Sequence, residues 1–198
     1  MNLIYYATPF PHVVMREFYS PDEYEAVWAE LVSLKDKSAG AETTGTATKD
    51  GVNLKRNTGV FLGQLYQEEY LSSPIIRANR KLFSVSVMQQ LCGFDFVFQY
   101  LPATTFDETL VQFYQNGDYY KTHKDTAVFS ATVVLYRPPR RYAGGVLRFT
   151  HFNYLVELED NDCVLFPSFV PHEVTELRSS TTDPLNNRIS ITTFMNIV

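Results

Sequence analysis

The spacing of apolar positions changes about halfway along the chain. In "SPDEYEAVWAELVSL" (20–34), Tyr24, Val27, Trp28, Leu31 and Val32 recur at i, i+3, i+4, i+7 and i+8, which predicts a helix with one buried face. Ser20 can cap it, Pro21 suits its first turn, and Glu23 completes a capping box. "SPIIRANRKLFSVSVMQQLC" (73–92) predicts a second helix, opened by Ser73 and Pro74 and followed by Gly93. Between them, residues 36–51 hold no large apolar side chain, and their Gly, Thr, Ser and Lys predict a mobile loop or a hairpin tip.

After Gly93 the apolar runs become short. "FDFVFQYL", "TLVQFY", "FSATVVLY", "GVLRF", "YLVEL", "CVLFP", "HEVTEL" and "RISITTF" are separated by turn-forming stretches such as "NGD", "RPPRRYAGG" and "EDND". That is the pattern of a β-sandwich or barrel, with helices confined to the first half. The expected class is α+β, mainly β: one domain over 1–198, with a helical part (1–93) and a jelly-roll-like β core (94–198).

Composition adds limits. A 198-residue chain with 45% hydrophobic residues can bury a sizeable core, and 15 Phe with 13 Tyr favour sheet. The net charge of −5 lacks the basic footprint of a nucleic-acid binder, "RPPRR" (137–141) being a local exception. Cys92 and Cys163 form no CxxC pair, so a thiolate zinc site is not indicated, and two reduced thiols suit a cytoplasmic protein. No secretory signal and no membrane-spanning apolar run is expected.

One stretch does not fit a plain core. In "YYKTHKDTAVFSATVVLY" (119–136), His123 and Asp125 precede an apolar run, and on an extended backbone side chains two apart point the same way. H-x-D alone is a weak signal. A third candidate, His172, follows in "FPSFVPHEV", and two imidazoles with one carboxylate are the facial triad of non-haem Fe(II) oxygenases. Such a triad leaves metal positions open, whereas a structural zinc site is closed by four protein ligands. Arg188 opens the last apolar strand, where a guanidinium is costly unless it grips an anion; Ser190 shares its face. A dicarboxylic 2-oxo acid fits both ends, its keto acid on the metal and its far carboxylate on Arg188. Tyr114 and Tyr136 are candidate phenol donors beside it. His12 and His151 lie outside this pattern and read as structural.

On these residues the chain resembles the 2-oxoglutarate and Fe(II)-dependent dioxygenases, and most of all their prolyl 4-hydroxylase-like branch. "PFPHVVMREFYSPDEYEAVWAEL" is similar to the opening strand and helix of that family. "QFYQNGDYYKTHKD", "AGGVLRF" and "FPSFVPHEV" are similar to its H-x-D, Gly-Gly-x-Leu and distal-histidine segments. The resemblance implies a double-stranded β-helix with N-terminal helices packed on it. It assigns iron to His123, Asp125 and His172, and the cosubstrate's C5 carboxylate to Arg188. Tyr114, Tyr136 and Leu147 align with residues of the cosubstrate pocket. It also implies Fe(II), 2-oxoglutarate and O2, with ascorbate as an optional reductant, and release of succinate and CO2. The implied substrate is a proline-containing protein or peptide, its ring flanked by Tyr120 and Phe194, with no nucleic-acid or membrane partner. The residues leave open a hydroxylase of a free amino acid or other small molecule, and a cupin-like module that binds metal without turnover. The chain departs from the family in three places. Collagen-type relatives often carry Lys where Arg188 stands, the 172–188 segment is longer than usual, and Phe194 stands where many relatives have Trp.

Overall fold

The computed structural model describes residues 1–45 and 47–197. Two antiparallel sheets face each other. The larger has seven strands in the order β1 (Asn2–Tyr6), β2 (His12–Arg16), β13 (Asp162–Pro167), β9 (Phe129–Leu135), β16 (Ile189–Asn196), β7 (Phe106–Phe113) and β6 (Thr58–Phe61). The smaller has five, ordered β12 (Tyr154–Val156), β11 (Leu147–Phe149), β14 (His172–Val174), β8 (Tyr119–His123) and β5 (Lys55–Arg56). Two-residue ribbons pair β3 (Thr48–Lys49) with β4 (Val52–Asn53), and β10 (Tyr142–Ala143) with β15 (Arg178–Ser179). This is a double-stranded β-helix.

The sheets are two-sided, and alternation along the strands decides what each side does. On β7 and β16, Val111, Phe113, Ile189, Ile191 and Met195 turn outward to a core shared with the helices. Helix α1 (Pro21–Leu34) lays Val27, Trp28, Leu31 and Leu34 on that core, with Ser20 and Glu23 closing the expected capping box. Val32, expected on the buried face, is 45% exposed, because the stripe continues through Leu34 instead. Glu30 is buried beside it, accepting hydrogen bonds from the Tyr66 hydroxyl (2.6 Å), the Ser73 hydroxyl (2.7 Å) and the Ile75 amide (2.8 Å). It ties α1 to the start of the next helical region.

Three expectations need correction. The single helix over 73–92 is two, α4 (Pro74–Asn79) and α5 (Val85–Phe94), with a 3-10 turn at Arg80–Phe83 between them. Ser84 is extended (φ −70°, ψ 144°), and its hydroxyl caps α5 by accepting from the Val87 amide. "FDFVFQYL" is not a strand: Phe96–Ala103 is a 3-10 helix, started by the Asp95 side chain capping Val97. Its buried residues, Phe98 and Leu101, are three apart rather than two, and Phe96 is 80% exposed. The first 93 residues are not only helical, since β1, β2, β5 and β6 extend both sheets. The 36–51 stretch holds a 3-10 turn (Lys35–Lys37), α2 (Ala41–Thr44) and β3, whose tip turns through Asp50 (φ 52°) and Gly51 (φ 76°); Thr46 lies outside the described residues. Helix α3 (Leu62–Tyr66) leads from β6 towards α4. Among the described residues, no helix is long and apolar enough to cross a membrane.

Candidate active site

The inner faces of β7 and β16 build one wall of a cavity of about 630 Å³. Every second residue lines it: Phe106, Glu108, Leu110, Gln112 and Tyr114 along one strand, Arg188, Ser190, Thr192, Phe194 and Asn196 along the other. The register sets Ser190 opposite Gln112, Thr192 opposite Leu110 and Phe194 opposite Glu108. Strands β8, β14 and β11 supply the opposite wall with Tyr120, His123, His172, Val174 and Leu147.

His123 ends β8 and His172 begins β14, and the two are direct cross-strand partners. Asp125 lies just beyond the end of β8, its amide donating to the Ser168 carbonyl (3.2 Å). One carboxylate oxygen stands 3.5 Å from His123 Nε2 and the other 3.5 Å from His172 Nε2. One donor atom from each of the three residues falls within 4.8 Å of the others. Atoms held about 2.1 Å from one ion, at right angles, are about 3 Å apart, so this separation suits three ligands on one face of a metal.

The histidine tautomers follow from the backbone. His123 Nδ1 lies 2.9 Å from the Lys121 carbonyl and His172 Nδ1 2.9 Å from the Val170 carbonyl. A carbonyl can only accept, so each Nδ1 carries a proton and each Nε2 is turned to Asp125, where loss of its own proton would free a lone pair for a metal. Tyr120 stacks on the His123 ring at 3.5 Å between centroids, fixing its plane. The Ser130 hydroxyl donates to Asp125 Oδ2 (2.6 Å). Burial pushes the His172 imidazole below its ordinary value, more strongly than neighbouring Asp125 raises it. Burial alone would raise the Asp125 carboxyl, but the His123 hydrogen bond, the fields of both imidazoles and the Ser130 hydroxyl together hold it below the usual carboxylate range. The Asp125 carboxyl is thus held towards its ionised form and the His172 imidazole towards its neutral form, the forms a metal needs of them.

Arg188 is the largest fully buried side chain, 1% exposed, and its guanidinium lies 4.7 Å from the Tyr114 ring centroid. Among the described residues no carboxylate pairs with it, and its Nε and Nη1 have no acceptor. The amide nitrogen of Gln112 is likewise without a partner. A buried cation without an anion is costly, and this one, with Ser190 beside it in the cavity wall, suits the far carboxylate of a dicarboxylic acid. Gly145, at φ 61°, makes room for it: a Cβ there would stand 3.0 Å from Arg188 Cδ. Leu147, on β11 opposite Val174 of β14, lines the same cavity.

Tyr136 stands apart from the cavity. Its hydroxyl donates to Glu159 and its ring packs edge-on against Tyr142, and it is not among the residues lining this cavity, where it was expected. Tyr120 does line the cavity, but with one face given to His123 it serves the imidazole first. Phe194 lines the cavity and is half-buried. The sequence reading missed Phe61, Phe106, Glu108, Gln112 and Lys55. All but Phe61 and Lys55 follow from the two-residue alternation of "FDETLVQFY" once Tyr114 is placed inward.

Residues 109–196 match the family model of the 2OG-Fe(II) oxygenase superfamily. No curated protein matches the chain. Among solved structures, a Pseudomonas putida prolyl-4-hydroxylase is similar with a TM-score of 0.58 at 20% identity, over 94% of this chain and 92% of that one. The viral collagen prolyl hydroxylase of Paramecium Bursaria Chlorella virus-1, solved with 2OG, is similar with a TM-score of 0.53 at 12% identity, over 94% and 96%. The epimerase SnoN from nogalamycin biosynthesis, a non-heme alpha ketoglutarate dependent enzyme, gives 0.54 at 13%, over 93% and 76%.

Proposed function

From the premise that residues 109–196 are a domain of the 2OG-Fe(II) oxygenase superfamily, we propose that the protein hydroxylates a prolyl residue of a polypeptide. The family uses Fe(II), 2-oxoglutarate and O2, which supply the oxidation: one oxygen atom enters the substrate C–H bond as hydroxyl, and the other enters succinate as CO2 leaves. In this reading His123, Asp125 and His172 hold the metal. Arg188 and Ser190 bind the far carboxylate of the cosubstrate, with Tyr114 and Leu147 along its flank. Ser130 keeps Asp125 ionised and turned to the metal, and Tyr120 keeps the His123 ring in plane.

The observation that carries the polypeptide reading is the length of the hollow. The reaction cavity adjoins a second hollow of about 440 Å³, and the two share Gln64, Phe106 and Glu108. An extended chain could pass the metal and continue beside Tyr70 and Thr105, whereas a lone amino acid would leave that space empty. Phe61, Phe106 and Phe194 offer aromatic walls to a proline ring, and proline's extended backbone loses little entropy on binding. The reading is tested by coupled succinate release with proline peptides and the same peptides bearing Ala for Pro. Release should rise only with the former, with a mass gain of one oxygen on the proline peptide. Equal turnover with free proline, or none with any peptide, would move the assignment to a small-molecule substrate.

A further inference from the structure

The cavity holds a second buried cation that the cosubstrate does not use. Lys55 lies on β5, the edge strand of the smaller sheet, directly opposite Tyr120 of β8. It lines the same cavity as the triad and is only 4% exposed. Its ammonium sits over the Tyr120 ring at 6.0 Å, one aromatic ring away from His123. It donates to the Thr44 hydroxyl at 2.7 Å. An ammonium has three donors, and among the described residues no carboxylate lies within 4.0 Å of it.

Burial lowers its pKa to about 8, with Glu42 as the opposing influence, so it remains mainly charged at neutral pH. A lysine in a core is ordinarily paired, because an isolated ammonium removed from water is expensive to hold. The two carboxylates of 2-oxoglutarate are already allotted, one to the metal and one to Arg188. The remaining molecule that enters the cavity is the substrate.

We propose that Lys55 receives a carboxylate of the substrate and so sets which residue is presented to the metal. This rests on the cavity being the active site, as proposed above. The carboxylate has two sources: an acidic side chain next to the target proline, or the α-carboxylate of a free amino acid. Thr44 holds the ammonium in place, and Tyr120 links the anion pocket to the plane of His123.

The test is calorimetric binding to protein loaded with Mn(II) and 2-oxoglutarate, using two isosteric pairs. The first is N-acetyl-prolyl-aspartate against N-acetyl-prolyl-asparagine, both amidated at the C-terminus; the second is free proline against prolinamide. In wild-type protein the acid of one pair should bind about 10- to 100-fold tighter than its amide, the range of a charged hydrogen bond. The pair that shows the preference identifies the source of the carboxylate. In Lys55→Met, and in Lys55→Gln should Met pack poorly, the acid-to-amide ratio should fall to about one, with 2-oxoglutarate affinity changed less than about twofold. Acid and amide bound alike in both pairs, absence of binding included, would overturn the assignment, and that comparison needs no variant. So would a preference that survives both substitutions, or a loss of 2-oxoglutarate affinity in them. A preference in binding without turnover of any proline peptide would instead count against the prolyl reading and leave Lys55 standing.

Discussion

Replacing Arg188 with Met should weaken cosubstrate binding without weakening the ligand-free protein. The side chain is 1% exposed, and its Nε and Nη1 have no acceptor. Met fills similar space and removes a buried charge that no carboxylate among the described residues compensates, so the variant should melt no lower than wild type. What is lost is the interaction with the far carboxylate. A hydrogen bond to a charged group contributes about 1.5–3 kcal/mol, and at about 1.4 kcal/mol per decade the upper value is about 100-fold in affinity. At a 2-oxoglutarate concentration of about 100 times the wild-type Kd, with Mn(II) present, ligand binding adds about 2.7 kcal/mol to the wild type. For a chain of this size that is a rise in Tm of about 5–10 °C. The variant, then near its own Kd, should gain only about 1 °C. Differential scanning fluorimetry with and without the keto acid measures both halves at once. A variant that melts far below wild type yet keeps the full ligand-induced shift would refute the reasoning, and Arg188 would be a structural residue.

The remaining expectations concern the metal donors and the helical layer. The imidazoles of His123 and His172 must be deprotonated to bind metal, so Mn(II) affinity should fall as the pH drops from about 7.5 to about 5. Burial, which lowers the His172 value, moves that residue's share of the loss to the acid side of an ordinary imidazole; an affinity that rises on acidification would contradict it. His123→Ala and His172→Ala should each abolish metal-dependent succinate release, while the far-ultraviolet circular dichroism stays that of wild type. Glu30→Ala strips the acceptor from Ser73, Tyr66 and the Ile75 amide, and should cost on the order of 3 kcal/mol by urea denaturation without changing the metal affinity per folded molecule.

How far the chain could be read from its sequence depended on how local each signal was. The capping box at Ser20 and Glu23 and the alternation of "RISITTF" are local, and both elements form where they are written. His123, Asp125, His172 and Arg188 could be picked out because each is a costly residue type beside an apolar strand. Tyr136 shows the limit: β9 ends at Leu135, and alternation does set Tyr136 on the inner side with Val134, but at the end of the strand near Glu159 rather than near the metal. Lys55 was not legible, because its place depends on β5 pairing with β8 across more than sixty residues, a register that no local pattern specifies. "FDFVFQYL" misled because its aromatic content suits a strand while its buried residues keep the spacing of a 3-10 turn.

The central claim is that three side chains and one arginine form a single site for metal and cosubstrate. It is tested most directly by anomalous diffraction from crystals grown with Mn(II) and 2-oxoglutarate. The account predicts one strong peak within about 2.3 Å of His123 Nε2, His172 Nε2 and an Asp125 oxygen, with the keto acid reaching from it to Arg188. A peak elsewhere, or a keto acid that leaves the Arg188 guanidinium without an anion, would contradict it.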